Sequence, residues 1–244
     1  MAAAVAFLEQ QGLRPWSRVG ELRQGVEFGL DFIREYSQDD LLASPLLEFC
    51  PTSPRLFAGV SPCKGVPETT LYESPTADVV RIGSGGAYVA SAKVRKVLLT
   101  AGFSNLLWQP VKVQPWRVPP DERRSDYDRK MEPSKRGPWW DLRSDLVLPP
   151  LAPSMPLFHN DHTPFTGDCE QGCWRRDGLF MNAELRYRAE DLEDFGPFDL
   201  AFTHETFGPR PLDPGRTLVA SQLFYRICTE KGVECSWAPV RIED

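Results

Sequence analysis

The chain has 244 residues, 41% of them hydrophobic, which is enough to bury a substantial core as one large domain or two small ones. Its 34 acidic and 28 basic residues give a formal net charge of −6. Nucleic acids and anionic membranes bind clustered lysine and arginine, so this balance argues against both as the main partner and leaves a basic protein as a compatible one.

The sequence also argues against a membrane-spanning or secreted protein. No stretch approaches the roughly 18 consecutive apolar residues that a transmembrane helix needs. The apolar residues 1–8 have no positive charge before them and are ended by polar residues 9–11, so they predict a helix start rather than a secretory signal. Six scattered cysteines are too sparse for a disulfide scaffold. We therefore expect a cytoplasmic protein with reduced thiols.

The N-terminal region predicts one or two amphipathic helices within the first 50 residues. Apolar residues recur there at roughly helical spacing, as in Leu22, Val26, Leu30 and Ile33. Acidic residues take remaining positions, namely Glu21, Glu27, Asp31, Glu35, Asp39 and Asp40. They favour a solvated helix face, with a docking face for a basic partner as the alternative. Residues 50–76, rich in Pro, Ser, Gly and Thr, indicate a loop.

A pattern of strands around one helix follows the predicted loop. It consists of the strand Asp78–Ile82, a Gly-rich turn at 83–86, the strand Ala87–Ala90, a helix and the strand Leu106–Val113. Ser91 is a favourable N-cap, because its hydroxyl can accept from the unpaired N–H groups of the first helical turn. Gly102 can take the left-handed conformation that ends the helix.

The same pattern returns at the end of the chain. Its parts are the strands Asp199–Thr203 and Leu218–Ala220, the N-cap Ser221, the helix stop Gly232 and the strand Cys235–Ile242. With a one-residue gap, Val89, Ala90, Ser91, Gly102, Trp108, Pro110 and Val111 align with Val219, Ala220, Ser221, Gly232, Trp237, Pro239 and Val240. Two copies are too few for a solenoid, so the repeat predicts two related halves of one protein.

The predicted fold is therefore α+β, with two related strand–helix–strand halves that arose by internal duplication. An N-terminal helical segment and loop at 1–76 precede the first half at 77–113, and the second half spans 159–244. The connector between them, 114–158, contains nine prolines and the pair Trp139–Trp140. Since proline fixes φ and removes a hydrogen-bond donor, we expect this Pro/Trp-rich connector to be irregular.

The densest cluster of potential metal ligands is formed by His159, His162, Cys169 and Cys173. Imidazole and thiolate are the ligands that tetrahedral zinc prefers, and such a cluster can close a structural zinc site in a loop. The spacing is imperfect, because Cys-x-x-x-Cys is less typical than Cys-x-x-Cys. The cluster therefore predicts either a zinc site or a loop without metal.

Other catalytic signatures are poor. The turn at 83–86 lacks the G-x-G-x-x-G spacing of a phosphate-binding loop, and the sequence contains no G-x-S-x-G, Walker A or H-E-x-x-H motif. His204–Glu205 follow a predicted strand and would suit an acid–base pair. No nucleophile adjoins them, so we favour a surface pair.

Two further features suit a protein partner. The acidic run Glu190, Asp191, Glu193 and Asp194 is typical of a solvated helix start, where carboxylates stabilise the helix dipole, and docking of a basic partner is the alternative. Trp139 and Trp140 would suit interface anchors, because large aromatic side chains often carry much of the binding energy.

The last third of the chain resembles a known family. A cysteine-containing loop, then "LAFTHETFG", then "LVASQLFYRICTEKGVECSWAPVRI" is similar to the C-terminal region of bacterial immunity proteins from polymorphic toxin systems, especially the double-CXXCG immunity family of myxobacteria. The resemblance covers residues 165–244, with an echo at 78–113. Neither CXXCG motif is intact, and Cys169-Glu-Gln-Gly-Cys173 is the remnant of one.

The resemblance implies a non-catalytic, cytoplasmic antidote that binds and neutralises a cognate protein toxin. The missing catalytic motifs and the acidic charge agree with this function, and a basic toxin would be the complementary partner. The alternative is a zinc-stabilised or zinc-dependent enzyme centred on the loop that carries His159, His162, Cys169 and Cys173.

Overall fold

The computed structural model describes residues 13–22, 25–51, 58–63, 66–71, 75–82, 87–103, 105–113, 137–155, 157–159, 173–176, 184–207 and 215–244. Within these residues the protein is a mixed α+β structure with four helices and several sheets, which confirms the predicted fold class. None of the four helices has both the length and the apolar character that crossing a membrane requires.

The elements follow one another as short helices and strands. The helices are α1 (Gln38–Ala43), α2 (Ala92–Thr100), α3 (Ala189–Phe195) and α4 (Gln222–Glu230). The strands up to residue 113 are β1 (Leu13–Leu22), β2 (Gly25–Arg34), β3 (Leu46–Cys50), β4 (Ala58–Cys63), β5 (Val66–Leu71), β6 (Val79–Ile82), β7 (Ala87–Ser91), β8 (Leu106–Pro110) and β9 (Lys112–Val113). The later strands are β10 (Trp139–Ser144), β11 (Leu157–His159), β12 (Cys173–Arg176), β13 (Arg186–Arg188), β14 (Leu200–Phe202), β15 (Thr206–Phe207), β16 (Leu218–Ser221), β17 (Ser236–Pro239) and β18 (Arg241–Glu243).

Two four-stranded antiparallel sheets share one strand order. The first runs β6-β7-β10-β8, and the second runs β14-β16-β3-β17. In each sheet, two adjacent strands are followed in the chain by a helix and then by the strand at the opposite edge. The third position is taken by a strand from another part of the chain, β10 in the first sheet and β3 in the second.

The residue pairing agrees between the two sheets as well. Residues that the repeated sequence pattern aligns have cross-strand partners in matching positions. Ala90 and Ala220 pair with Val79 and Leu200, Ser91 and Ser221 with Trp139 and Leu46, and Trp108 and Trp237 with Leu142 and Phe49. The backbone bonds beside them also match. Val111 N–H donates to the Trp139 carbonyl at 3.0 Å, as Val240 N–H donates to the Leu46 carbonyl at 3.0 Å.

The helices α2 and α4 begin and end as the sequence predicts. The hydroxyls of Ser91 and Ser221 each accept a hydrogen bond from the backbone N–H three residues later, which satisfies one unpaired donor of the first turn. Gly102 and Gly232 follow the last turns with φ of 80° and 60°, a conformation that glycine adopts without strain. The caps and helix stops of both halves are confirmed. The last predicted strand of each half is instead divided in two, into β8 and β9 and into β17 and β18, which join different sheets. The common origin of the halves stays a prediction.

One apolar cluster lies between the two sheets and the helices α2 and α4. The helices contribute Val94, Leu98, Phe224 and Cys228, all of them at most 1% exposed. Both sheets contribute through Val79, Tyr88, Ala90, Leu106, Leu142, Phe49, Leu200, Leu218 and Ala220. Burial of apolar surface stabilises a fold in proportion to the area removed from water. Neither sheet therefore buries this face without the other half.

Each sheet has a second cluster on its opposite face. The first sheet packs there through residues such as Val80, Ile82, Val89 and Trp139, together with Leu71. The second sheet packs through Leu46, Ala201, Val219 and Val240, together with Tyr187, Leu185 and Leu148. Parallel strand pairs border both clusters, β5 with β9 and β13 with β18. Leu71 and Tyr187 come from β5 and β13, so they occupy corresponding places.

The predicted N-terminal helices are wrong for residues 13–34. β1 and β2 pair antiparallel along their whole lengths. In β2, Val26, Phe28, Leu30 and Phe32 alternate with other residues, which is the period of a strand, and Gly29 further disfavours a helix. The helix described in the N-terminal 50 residues is the six-residue α1.

Strands also occur in the two segments for which the sequence predicts irregular structure, the loop 50–76 and the connector 114–158. β4 and β5 pair antiparallel within the predicted loop, with Pro62 opposite Pro67. β10 lies in the predicted connector and is an interior strand of the first sheet. A local hairpin at β4–β5 and long-range pairing at β10 overrode the local composition. The connector residues 114–136 and the predicted turn at 83–86 lie outside the described residues.

Two thiols in the core make the stability dependent on pH. Burial raises the pKa of Cys228 and raises that of Cys235 to about 12, with a smaller contribution to Cys235 from the Asp78 carboxylate. Between the ordinary thiol pKa and the raised one, each thiol keeps its proton in the folded state but has released it in the unfolded state. The free energy of unfolding should therefore fall as the pH rises from about 9 towards 12.

We expect Cys235→Ala to make this fall shallower by at most about 1.4 kcal/mol per pH unit, the value for one proton. Urea denaturation of the wild type and the variant between about pH 9 and 11 measures the difference. Ser236→Ala is the control, because it alters the neighbouring residue without removing an ionisable group. Equal pH dependence in the wild type and Cys235→Ala would contradict the prediction.

Candidate binding cleft

A cleft of about 570 Å³ lies where the N-terminal segment meets the end of the chain. One wall comes from the approach to α1, α1 itself and the residues before β3, through Glu35, Tyr36, Asp40, Ala43, Ser44 and Pro45. The other wall comes from Glu184, Pro239, Val240 and Arg241, around β13, β17 and β18. The volume is within the roughly 300–1,000 Å³ typical of ligand pockets.

Hydrogen bonds fasten the two walls together at Ser44. Its buried hydroxyl donates to the Leu46 carbonyl at 2.6 Å and accepts from Val240 N–H at 3.3 Å. β3 and β17 pair directly beside this point, with Pro239 opposite Leu47. The floor of the cleft is therefore continuous with the second sheet.

Gln222, the first residue of α4, holds α1 against the C-terminal half. Its side-chain amide donates to the carbonyls of Leu41 at 2.8 Å and Ser44 at 2.6 Å, and its backbone N–H donates to the Pro45 carbonyl at 3.2 Å. The last carbonyls of a helix have no partner within the helix, so this amide satisfies groups at the end of α1. A helix of six residues is marginal by itself, and its position depends on such contacts.

The lining of the cleft is acidic. Three carboxylates (Glu35, Asp40 and Glu184) and one guanidinium (Arg241) give a formal charge of −2. Glu184 pairs with Arg241. Asp40 completes a capping box by accepting from the N–H and the hydroxyl of Ser37 at 2.9 and 2.7 Å. Glu35 lies exposed at the rim.

This lining suits a cationic group. Carboxylates bind lysine and arginine through charge-assisted hydrogen bonds, and the ring of a tyrosine such as Tyr36 favours a cation over its face. The exposed Glu35 also places negative charge where an approaching partner meets it. The cleft therefore has room for a side chain and a lining of carboxylates that can bind a cation.

Sequence reasoning found half of this cleft. It placed Glu35 and Asp40 on an acidic N-terminal face, but it did not single out Glu184 or Arg241. The latter two lie in the last quarter of the chain and reach the cleft through the pairing of β13 with β18 and of β3 with β17. No local signal in the sequence reports such pairing.

The predicted acidic run occupies α3, which begins directly after β13. Arg188, at the N-cap, pairs with Glu190 at 2.8 Å and with Asp191 at 2.9 Å. The hydrogen bond to Asp191, aided by both carboxylate charges, raises the pKa of Arg188. Glu193 and Asp194 are exposed. The helix start is confirmed, and docking of a partner on this run stays a prediction.

The two tryptophans proposed as interface anchors differ in their surroundings. Trp139 is 4% exposed and belongs to the apolar cluster of the first sheet, so its ring is committed to the core. Trp140 is half-buried, and the guanidinium carbon of Arg95 lies 3.8 Å from its ring centroid. The burial of Trp139 therefore does not fit the role of an accessible anchor, and that role stays a prediction for Trp140.

A small three-stranded sheet brings together parts of the predicted zinc cluster. β11 pairs with β12 so that His159 is opposite Trp174, next to Cys173. β12 pairs with β15 so that Cys173 is opposite Thr206. His162 and Cys169 lie outside the described residues. Among the residues that the structure does describe, no group of three or more His, Cys, Asp or Glu side chains is arranged to hold a metal ion.

Glu205 is buried rather than part of a surface pair with His204. It is 7% exposed, and its Oε1 accepts from Leu151 N–H at 2.8 Å. Its backbone carbonyl accepts from the Thr203 hydroxyl at 2.8 Å. The bond from Leu151 ties its segment to the residue just before β15. The prediction of a surface pair is therefore wrong for Glu205, which has a structural role.

No protein-family model matches the chain, and neither does any curated protein or solved structure. The function must therefore be inferred from the residues themselves. Three places have suitable chemistry: the acidic cleft, the exposed end of α3, and the small sheet that contains His159 and Cys173. The cleft is the place where the side chains of both walls are described.

We expect Gln222→Ala to detach α1 from the C-terminal half, because the carbonyls of Leu41 and Ser44 lose their donor. The free energy of unfolding should fall by about 1–3 kcal/mol, as measured by urea denaturation. Gln222→Glu keeps the shape of the side chain but removes the donors, so it should also destabilise. Gln109→Ala, at a half-buried glutamine on β8, is the matched control. The prediction fails if Gln222→Ala is as stable as this control.

Proposed function

We propose that the protein is a non-catalytic immunity protein that binds and neutralises a cognate bacterial toxin in the cytoplasm. The observation that carries this proposal is the acidic cleft, whose lining has a formal charge of −2 and a volume suited to a protruding side chain. The complementary partner is a toxin that presents lysine or arginine at its contact surface.

The resemblance to double-CXXCG immunity proteins supports the same function. The resembling segment, 165–244, includes α3, α4 and the strands β13–β18, and it supplies one wall of the cleft through residues 239–241. An inhibitor of this kind needs a preformed surface of complementary charge and requires no reactive group. The net charge of −6 favours association with a basic partner.

The exposed end of α3 fits a supporting role in this interface. Arg188 neutralises much of the charge of Glu190 and Asp191, so Glu193 and Asp194 are the better candidates for contact with a basic surface. Exposed charges of this type change the rate of association more than the affinity. We therefore assign the main binding energy to the cleft.

We also propose that the two halves arose by internal duplication. Sequence, strand order and residue pairing all correspond between the two four-stranded sheets. The same strand order recurs in unrelated proteins and is weak evidence by itself. The pairing register is a separate feature, because a slip by one residue would turn every side chain of a strand to the other face. Agreement in register at aligned residues supports a common origin.

A zinc-stabilised or zinc-dependent enzyme is the second candidate function. The observation that favours it is the strand pairing that brings His159, Cys173 and Thr206 into one small sheet. His204 is two positions before Thr206 in the chain. Imidazole and thiolate are suitable zinc ligands, and a structural zinc ion contributes to the stability of the fold that binds it. His162 and Cys169 complete the proposed ligand set in sequence.

Binding to the product of the neighbouring gene tests the immunity function. Co-expression should rescue cells from a toxic neighbour, and the purified protein should retain that toxin in a pull-down. Glu35→Lys reverses a charge at an exposed position of the cleft lining and should weaken binding about 10- to 100-fold. Isothermal titration calorimetry measures the affinity.

Two matched variants separate the cleft from other acidic surfaces. Glu230→Lys makes the same charge change at an exposed position at the end of α4 and should bind like the wild type. Glu193→Lys tests the contribution of α3. Equal weakening by Glu35→Lys and Glu230→Lys would point to net charge alone and contradict the role of the cleft. Absence of both rescue and retention would reject the immunity function.

Metal analysis tests the second candidate. If zinc is bound, we expect about one ion per chain, and Cys169→Ser combined with Cys173→Ser should remove it and lower Tm. Cys50→Ser is the control, because this thiol lies on β3 in the second sheet. A purified protein without stoichiometric zinc, or a double variant of unchanged Tm, would reject the zinc site.

A further inference from the structure

The correspondence between the halves extends to the strands in the third position of each sheet. β3 follows Pro45 and reads Leu-Leu-Glu-Phe-Cys, and β10 follows Pro138 and reads Trp-Trp-Asp-Leu-Arg. Each has two large apolar residues, an acid and another large apolar residue in the same places. The acids, Glu48 and Asp141, are both buried, at 8% and 1% exposure. Burial of a carboxylate is costly, so its recurrence at one position is a specific shared feature.

The strands that come before β6 and β14 correspond as well. β5 pairs parallel with β9, and β13 pairs parallel with β18, with Leu71 opposite Val113 and Tyr187 opposite Ile242. With β4 left out of the first series and β11, β12 and β15 left out of the second, the order β3-β5-β6-β7-α2-β8-β9 corresponds to β10-β13-β14-β16-α4-β17-β18. Both four-stranded sheets are accounted for, with no strand left over. Each series begins with the strand that follows a proline, β3 after Pro45 and β10 after Pro138.

We propose that the chain is a tandem repeat of two units, 46–113 and 139–243, whose first strands have changed places. β3, the first strand of the first unit, lies between β16 and β17 of the second unit. β10, the first strand of the second unit, lies between β7 and β8 of the first. Each unit completes the sheet of the other, as in a strand-exchanged dimer that has been joined into one chain.

Side chains around the two strands favour the exchanged arrangement over the direct one. Trp139 fills the cluster of the first sheet, and its counterpart Leu46 is much smaller, so β3 in that place would leave a cavity. Asp141 accepts from the Thr69 hydroxyl at 2.9 Å, and the residue aligned with Thr69 is the buried Leu185. β10 in the second sheet would therefore lose a hydrogen bond to a buried carboxylate.

The exchange also builds the candidate cleft. β3 carries Ser44 and Pro45 to the second unit, where they meet Pro239 and Arg241. In a direct arrangement, the same residues would lie beside the counterparts in the first unit, Pro110 and Lys112. The use of the cleft for a toxin rests on the proposed function, whereas the exchange is argued from strand pairing and side-chain packing and does not depend on that function.

Cysteine cross-linking in the full chain tests the exchange. Native Cys50 is directly opposite Ser236 across β3 and β17, at the separation of cross-strand partners that a disulfide can span. Under mild oxidation, Ser236→Cys should form a disulfide between positions 50 and 236, identified by peptide mapping. The wild type reports any background linkage that involves Cys50 and the neighbouring Cys235.

Leu107→Cys is the matched variant for the direct arrangement. Cys50 aligns with Arg143, which is opposite Leu107, so a direct arrangement would place positions 50 and 107 together. Both substituted side chains are exposed. We expect the 50–236 linkage to exceed the 50–107 linkage on the order of tenfold or more. Adding Arg143→Cys to Leu107→Cys should create a 107–143 linkage, because β10 occupies that place.

A predominant 50–107 linkage would overturn the exchange, as would a failure of 50–236 to link when 107–143 does. Circular dichroism of each variant shows that it has folded. Toxin binding by oxidised Ser236→Cys keeps the two proposals apart. If the variant forms the 50–236 linkage but neither it nor the wild type binds the toxin, the proposed function is contradicted and the exchange is supported.

Discussion

The insertion of β3 between β16 and β17 is the interaction on which the rest of the structure depends. Without β3, both strands would present unpaired backbone groups to the interior of the second sheet. β3 also places Phe49 in the central core, where its ring centroid lies 6.0 Å from that of Tyr88, 5.9 Å from Phe224 and 5.1 Å from Trp237. Through this one ring, the N-terminal part of the chain, the first sheet, α4 and β17 come into contact.

Polar contacts then set how the two halves face each other. Tyr88, in the first sheet, accepts a hydrogen bond from Leu218 N–H of the second at 3.3 Å, and its burial raises the pKa of its hydroxyl. Lys93, in α2, donates to Asp78 at 2.9 Å and to the Gly232 carbonyl at the end of α4 at 2.6 Å. A polar group at such a junction is costly unless it is paired, so these bonds favour one arrangement of the halves over others.

The proposed function uses this junction. The cleft lies where the N-terminal segment, carried by β3, reaches the strands at the end of the chain. Ser44 and Gln222 fasten the segment, so the acidic wall is held in place before a partner arrives. Such preorganisation lowers the entropy cost of binding. The strands that stabilise the fold would therefore also present the surface for the toxin.

The sequence by itself determined the parts of this protein that depend on neighbouring residues. Ser91 and Ser221 are N-caps, and Gly102 and Gly232 are helix stops, because a cap or a positive φ is a property of a few consecutive residues. The strands on either side of α2 and α4 were predictable for the same reason. In β2 the alternation of apolar residues was present too, but the wider spacing of some of them suggested a helix instead.

Only the tertiary structure decided which strand fills the third place of each sheet. β3 and β10 have similar sequences, and the fit of Trp139 and the Thr69–Asp141 bond become visible only when the sheets are assembled. Long-range contacts also bury Trp139 and Glu205. They place Glu35, Glu184 and Arg241 in the lining of one cleft. Local propensity carries no information about a partner that lies in a distant part of the chain, because pairing is selected by the packing of the whole core.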